Sequence, residues 1–194
     1  LLDSIMTLLT DGALGYDRDA ELAKRGRIDE EWLQELLAHP YYELKPPKTT
    51  GRELFSRVMA GELIAEGHQR GNDDSSILAT ITTLTAQSIA DAYSRFAPSR
   101  VEEVILGGGG RHNPMMADLL NGLLHPAQVL THEDIGMDSD NKEALVFAVL
   151  AYETWHARPG TLPALTGADH PVVLGQITPG ANYIKLSKQT WSTV

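Results

Sequence analysis

Val101-Glu102-Glu103-Val104-Ile105-Leu106-Gly107-Gly108-Gly109-Gly110-Arg111-His112-Asn113-Pro114 decides how this chain is read. The β-branched, apolar run that ends at Ile105 and Leu106 predicts a buried strand over 101–106, and Asn113 with Pro114 spells the start of a helix. Between them, Gly107, Gly108, Gly109 and Gly110 leave backbone N–H groups uncovered and free to take positive φ. An anion can then touch the main chain in front of a helix dipole, and nucleotide phosphate is the natural guest. The spacing is not G-x-G-x-x-G, because position 112 is His, and the Lys-Ser/Thr pair of a P-loop is absent. A dinucleotide fold and a Walker ATPase are therefore disfavoured, while a tight turn without a ligand stays open.

Upstream, Ile77, Ile81, Leu84, Ile89, Tyr93 and Phe96 fall near one stripe, with Asp73, Asp74 and Ser75 as an acidic, capping start. A long helix from about 75 to 96 is predicted, ending before Pro98. Downstream, a helix over 114–124 turns Met115, Leu119, Leu120 and Leu123 inward, and a second strand is expected at 128–131. Helix, strand, helix, strand, helix in alternation means right-handed parallel crossovers, so the class is α/β.

Glu133 to Glu143 carries five acidic residues directly before a helix expected over 139–156, whose run Ala144 to Ala151 is apolar on most sides. Such a helix is expected to be central and buried, bringing carboxylates to the carboxyl-end crevice where open α/β sheets bind ligands. Asp138 and Asp140 are explained as helix N-terminal charges. Glu143 lies one turn inside, where a carboxylate is costly unless it meets a ligand, a metal or a donor, so function and structure both stand for it. A turn-rich link at 158–168, a third strand at 172–177 and a polar tail at 182–194 complete this part.

The beginning of the chain reads as a short helix over 2–9 with Ile5 and Met6 inward, a charged helix near 19–25, and a helix over 30–38 capped by Asp29 and carrying Trp32, Leu33, Leu36 and Leu37. These are expected at the periphery. The stretch Lys45 to Glu53 contains two prolines that forbid a helix, while Lys48, Thr49, Thr50 and Arg52 offer donors to an anion. A rigid solvated loop before a helix beginning at Glu53 is the other reading. The expected organisation is peripheral helices and a Pro-rich loop over 1–72, an α/β nucleotide-binding core over 73–181, and a tail over 182–194.

The 194 residues, 42% hydrophobic, suffice for a sizeable core. With 26 acidic against 16 basic residues, a net charge of −10 and no basic cluster, nucleic acid and anionic membrane are poor partners. Zero cysteines exclude disulfides and thiol catalysis, and no apolar run of membrane-spanning length occurs, so a cytoplasmic location is expected. The histidines show no metal spacing, and no G-x-S-x-G elbow is present. Leu1 enters an amphipathic helix in mid-stride without a cap or an initiator Met, which reads as a cut end.

Taken as an ordered set, Asp11-Gly12, Pro46 to Glu53, Gly107 to Pro114, Lys142-Glu143-Ala144 and Val173-Leu174-Gly175 resemble the anhydro-N-acetylmuramic acid kinases and their levoglucosan-acting sugar-kinase relatives, over residues 1 to about 180. The resemblance implies the C-terminal portion of an actin-like and hexokinase-like ATPase fold, ATP and Mg²⁺ as cofactors, and a 1,6-anhydro sugar opened at its bridge and phosphorylated. It assigns Gly107 to Gly110 to the nucleotide, Asn113 beside them more weakly, and Glu143 to the sugar and to Mg²⁺. The family's catalytic aspartate, in an Asp-Thr-Gly-Pro-Gly-Asn motif, and an earlier glycine-rich phosphate loop have no match here. The 194 residues alone are thus expected to be inactive. Three predicted strands, where a chain this size covers a sheet of about five or six, leave an edge for a partner segment. Expected partners are the anhydro-sugar substrate and the N-terminal part of the same protein, with a homodimer left open. A non-catalytic nucleotide- or sugar-binding module with the same fold is the alternative.

Overall fold

The computed structural model describes residues 1–51, 53–139 and 141–191, which divide into two compact units between Gly136 and Met137. The readings at Arg52 and Asp140 fall outside the described residues.

The first unit is built on one helix. Asp73 accepts the Ser76 N–H at 2.8 Å and starts α5 (Asp74–Phe96), from which ten residues between Ser76 and Ala86 are buried. Around it pack α1 (Leu2–Leu9), α2 (Glu30–Leu37), α4 (Arg57–Gln69), α6 (Pro114–Leu124) and a 3-10 turn at Ala23–Arg25, while the short α3 (Pro40–Glu43) follows α2. The helices expected at the periphery instead supply the main core. Ile5, Met6, Trp32 and Leu33 join Ile77, Leu78, Ile81 and Leu84 in its largest buried cluster. Hydrophobic periodicity reveals an apolar face but not how deeply the partner surface encloses it.

Two glycines show how close this packing is. A Cβ on Gly26 would stand 2.1 Å from the Ser75 carbonyl oxygen, and one on Gly67 would meet Ile77 Cγ1 at 2.5 Å and the Trp32 ring at 3.1 Å. Only glycine lets the 23–26 turn and α4 approach α5 this closely.

A second cluster, Ala86, Met116 and Leu120 with Leu106 and Val129, joins α5 and α6 to a two-stranded parallel sheet. The strands β1 (Glu103–Leu106) and β2 (Gln128–Thr131) pair Glu103 with Gln128 through Leu106 with Thr131, and α6 is their crossover. Both were expected, although β1 begins two residues later than predicted. Val104 is buried against the helices, whereas Ile105, on the opposite face, is 43% exposed. Within this unit the sheet is covered on one face only.

The Pro-rich loop is held by the chain itself. Lys48 Nζ donates to the carbonyls of Tyr41 (3.1 Å) and Tyr42 (3.4 Å) and lies over the rings of Tyr41 and Phe96. The next helix starts at Arg57, capped by Ser56 at 3.1 Å from the Met59 N–H, and not at Glu53. The charged helix expected at 19–25 is two separate 3-10 turns, Arg18–Ala20 and Ala23–Arg25.

In the second unit, α7 (Lys142–Trp155) is followed by α8 (Pro163–Thr166) and α9 (Tyr183–Trp191). Three expectations are corrected here. The helix predicted to be central and buried has no buried residue, and Leu145, Val146, Phe147, Val149 and Tyr152 stand about half exposed or more. An apolar sequence says that a surface wants cover without saying which segment supplies it. The strand expected at 172–177 is an irregular segment outside any sheet, bent at Gly175 (φ 83°) and held by Gly160 N–H to Val172 O at 3.0 Å and Val172 N–H to the Thr161 hydroxyl at 2.8 Å. The tail contains α9, because Trp191 stacks on Trp155 at 5.8 Å and Trp155 Nε1 donates to Thr190 at 2.8 Å.

Gly67→Ala is expected to reverse the usual sign of a helical Gly→Ala change. The methyl group would gain helix propensity of about 1 kcal/mol but meet Ile77, so overpacking leaves a net loss of about 1–2 kcal/mol in urea unfolding. Gly26→Ala, which collides with backbone and not with a side chain, should cost more than Gly67→Ala; the reverse order would show that the 23–26 turn yields freely.

Candidate nucleotide and sugar site

β1 delivers the chain to Gly107, and the glycine run folds into a 3-10 turn at Gly109–His112 before α6 begins. Gly108 has φ 74° and ψ −174°, a conformation that is essentially restricted to glycine. Gly109 and Gly110 are different: neither has positive φ, and a Cβ on either would meet nothing within 4 Å. Neither backbone geometry nor packing asks for glycine there. The first N–H groups of a helical turn also lack acceptors within it, so this exposed backbone is open to an approaching anion.

Arg111 fastens the turn from behind. Its guanidinium donates to Gly108 O at 3.2 Å and lies 3.5 Å from Glu133 Oε1, with the side chain only 7% exposed. Beyond β2, Asp134 accepts the Thr131 N–H at 2.7 Å and the Thr131 hydroxyl at 2.9 Å, and these bonds, the backbone one first, hold its carboxyl below the usual range. Asn113 Oδ1 caps α6 through the Met116 N–H at 2.9 Å. Its carbonyl oxygen is therefore spent on the helix, which leaves the amide nitrogen as the atom to offer a ligand.

The glycine turn and Asn113 border a cavity of about 640 Å³. Gly109, Gly110, His112 and Asn113 line it together with Leu2 and Asp3 of α1, the Tyr16–Asp19 turn, and Leu78, Thr82 and Met116. Two helix N-termini, those of α1 and α6, thus meet an arginine and a glycine turn. Asp17 accepts the Leu22 and Ala23 N–H groups at 2.9 Å each, which fixes the turn that presents Arg18, and a hydrogen bond to Tyr16 raises the Arg18 pKa further. Asp19 and Ala20 lie in the left-handed region at φ 53° and 54°. Consecutive left-handed residues other than glycine are strained, and such strain gathers at ligand sites. Asp3 and Asp19 add acceptors for hydroxyl groups or a cation.

Sequence reasoning found the glycine turn and Asn113 but missed Asp3, the Tyr16–Asp19 turn and Thr82. The available signal was four threonines, at 80, 82, 83 and 85, in a stretch of α5, 77–86, whose other residues are Ile, Leu and Ala. Glu143 lies in the other unit, exposed on the first turn of α7. Its charge is therefore solvated and, contrary to expectation, carries no cost of burial. Among the described residues no group of three His, Asp or Glu side chains is arranged to hold a metal unaided. Mg²⁺ does not require one, since it is commonly held by one or two carboxylates together with substrate phosphates.

The family model described as anhydro-N-acetylmuramic acid kinase matches residues 1–180. This chain belongs to the anhydro-N-acetylmuramic acid kinase family. It is 40% identical over 180 residues to the anhydro-N-acetylmuramic acid kinase of Caldanaerobacter subterraneus subsp. tengcongensis, covering 92% of this chain and 46% of that protein. It is 44% identical over 171 residues to that of Bacillus cereus, covering 85% of this chain and 44% of the relative. With that of Streptomyces avermitilis, identity is 40% over 195 residues, covering 100% of this chain and 50% of the relative. The anhydro-N-acetylmuramic acid kinase family chain described here thus spans about half the length of these curated relatives. The glycine turn and the cavity beside it lie within the residues that the family model matches.

Proposed function

We propose that this chain forms one wall of an ATP-dependent anhydro-sugar kinase with the actin-like and hexokinase-like fold, working in the cytoplasm. The observation that carries the reading is the pair Gly109 and Gly110, glycines that the fold itself does not require, on the rim of a cavity bordered by two helix N-termini and Arg18. Nucleotide phosphates would lie against this backbone, where side chains would keep them out.

The relatives' name supports anhydro-N-acetylmuramic acid, with its 1,6-bridge, as the sugar, and levoglucosan is the other anhydro sugar that the resemblance leaves open. Water opens the 1,6-bridge, the C1–O6 bond breaks, and the freed O6 takes the γ-phosphoryl group of ATP as ADP leaves. Mg²⁺ neutralises phosphate charge when bound. Glu143, exposed and at the start of α7, is the carboxylate proposed to face the sugar and the ion. The proton acceptor for the attacking oxygen would be the aspartate of the family's Asp-Thr-Gly-Pro-Gly-Asn motif, which the 194 residues do not contain. The apolar side chains exposed along α7 support packing against the remainder of a longer protein.

Gly109→Val, made in a full-length family enzyme carrying this half, should raise the ATP KM at least about tenfold while leaving the melting temperature unchanged, because its Cβ meets open space in the free protein. Unaltered nucleotide affinity would remove the turn from the site. In the same protein, Glu143→Gln should lower kcat/KM by ~10²–10³ with no change in stability, as expected for one electrostatic contact made to the transition state. A kcat/KM within a few-fold of the parent would instead return Glu143 to an ordinary helix-terminal charge. The purified 194-residue chain should release no ADP in response to anhydro sugar, and sugar-dependent turnover by it alone would defeat that part of the reading.

A further inference from the structure

Helix α5 carries four threonines, and three of them satisfy their hydroxyls within the protein. Thr80 Oγ1 donates to Ser76 O at 2.8 Å and accepts the Asp29 N–H at 3.0 Å; Thr83 donates to Ala79 O at 2.9 Å; Thr85 donates to Ile81 O at 3.0 Å. Thr82 does not follow them. It is 0% exposed, its Oγ1 has no hydrogen-bond partner, and it makes no bond to the Leu78 carbonyl one turn back. A buried hydroxyl left unpaired costs free energy that a valine of the same shape would not. Thr82 also lines the cavity, together with Leu78, Met116, Gly109 and Gly110.

We infer that Thr82 is a ligand-contacting residue, its hydroxyl donating to an anionic phosphoryl oxygen of the nucleotide held by the glycine turn. The inference rests on the nucleotide reading of that turn. Three features of the cavity favour a phosphoryl oxygen over a sugar hydroxyl as the acceptor: the uncovered backbone at Gly109 and Gly110, Arg18, and the positive ends of α1 and α6 all favour negative charge. Asp17 accepts two backbone N–H groups, and Asp3 and Asp19, the other carboxylates of the lining, would face a divalent cation carried in with the phosphates. Thr82 would add a neutral, directional donor beside the apolar side chains of Leu78 and Met116.

The test uses a full-length family enzyme with this half in place, and two variants. Thr82→Val keeps the shape and removes the hydroxyl; Thr82→Ser keeps the hydroxyl. Binding of the β,γ-imido analogue of ATP with Mg²⁺ and of 1,6-anhydro-N-acetylmuramic acid is measured by calorimetry, with melting temperatures of the free proteins alongside. Thr82→Val should weaken the ATP analogue by about 10–100-fold, the range for a hydrogen bond to a charged group, while melting at or above the parent. Thr82→Ser should restore affinity to within a few-fold, and sugar binding should be similar in all three. Parental affinity of Thr82→Val for the ATP analogue would overturn the inference and leave the nucleotide reading intact. A loss confined to the sugar would overturn it too, assigning the hydroxyl to the other substrate. Failure of the parent itself to bind the ATP analogue would defeat the inference together with the reading beneath it.

Discussion

The first unit depends on the way α5 meets its neighbours through hydroxyl groups as well as apolar surface. Ser76 Oγ accepts the Arg27 N–H at 3.1 Å and Thr80 Oγ1 accepts the Asp29 N–H at 3.0 Å, so two backbone donors of the segment before α2 are satisfied by a buried helix. Asp29 then uses its own carboxylate twice, to cap α2 through the Trp32 N–H at 3.0 Å and to accept from Asn72 at 2.7 Å. These bonds, that from Asn72 foremost, depress its pKa. A helix rich in β-branched threonine is a modest helix former in isolation, and burial of its polar groups without partners would cost more than the packing gains. Both difficulties vanish where the hydroxyls are paired, and this is why the single unpaired one, on Thr82, stands apart.

That constraint places the site. Because α5 and α6 pack together and α6 is the crossover between β1 and β2, the turn after β1 has to reach α6 at its N-terminus, beside the exposed start of α1. The glycine turn is thereby held at the end of a strand and in front of a helix by the packing of three helices. Arg111 and Asn113 Oδ1 help to fix it, one on Gly108 O and Glu133, the other on the Met116 N–H. What remains at Gly109 and Gly110 is backbone with space in front of it. A rigid frame with an uncovered backbone suits a ligand that is recognised mainly by charge and position, as a transferable phosphoryl group is.

Elements that announce themselves locally were legible in the sequence. Asp73, Asn113 and Asp29 are caps, and the stripe from Ile77 to Phe96 and the apolar runs before Gly107 and after Gln128 marked α5, β1 and β2 within a residue or two. The glycine turn was legible for the same reason, since no other residue type relaxes the backbone so strongly. The Tyr16–Asp19 side of the cavity was not, because its shape comes from left-handed backbone at Asp19 and Ala20, and alanine gives no notice of positive φ. Nor was the unpaired state of Thr82, which is a property of what surrounds it. The segment 172–177 has a strand's composition, but strand formation needs a neighbouring strand to bond to, and here Thr161 and Gly160 take that place.

Glu143 shows how an inference can fail at its premise and still leave a residue worth testing. Its neighbours Leu145, Val146, Phe147 and Val149 made burial the natural expectation, and burial made the charge expensive. In the second unit as it stands those side chains are exposed and the carboxylate is solvated, so no stability argument attaches to it. The two facts are nevertheless linked. Apolar surface in contiguous helical turns is costly in water and calls for cover, and a chain about half as long as its relatives has a natural source of cover in the other half. Covering α7 would lower the dielectric around its first turn, and a carboxylate there would interact more strongly with a sugar hydroxyl or a divalent ion than it does in the free unit. The contribution of Glu143 would thus be one that only the assembled protein can express, which is why its substitution has to be read in kinetics of the whole enzyme and not in the stability of this chain.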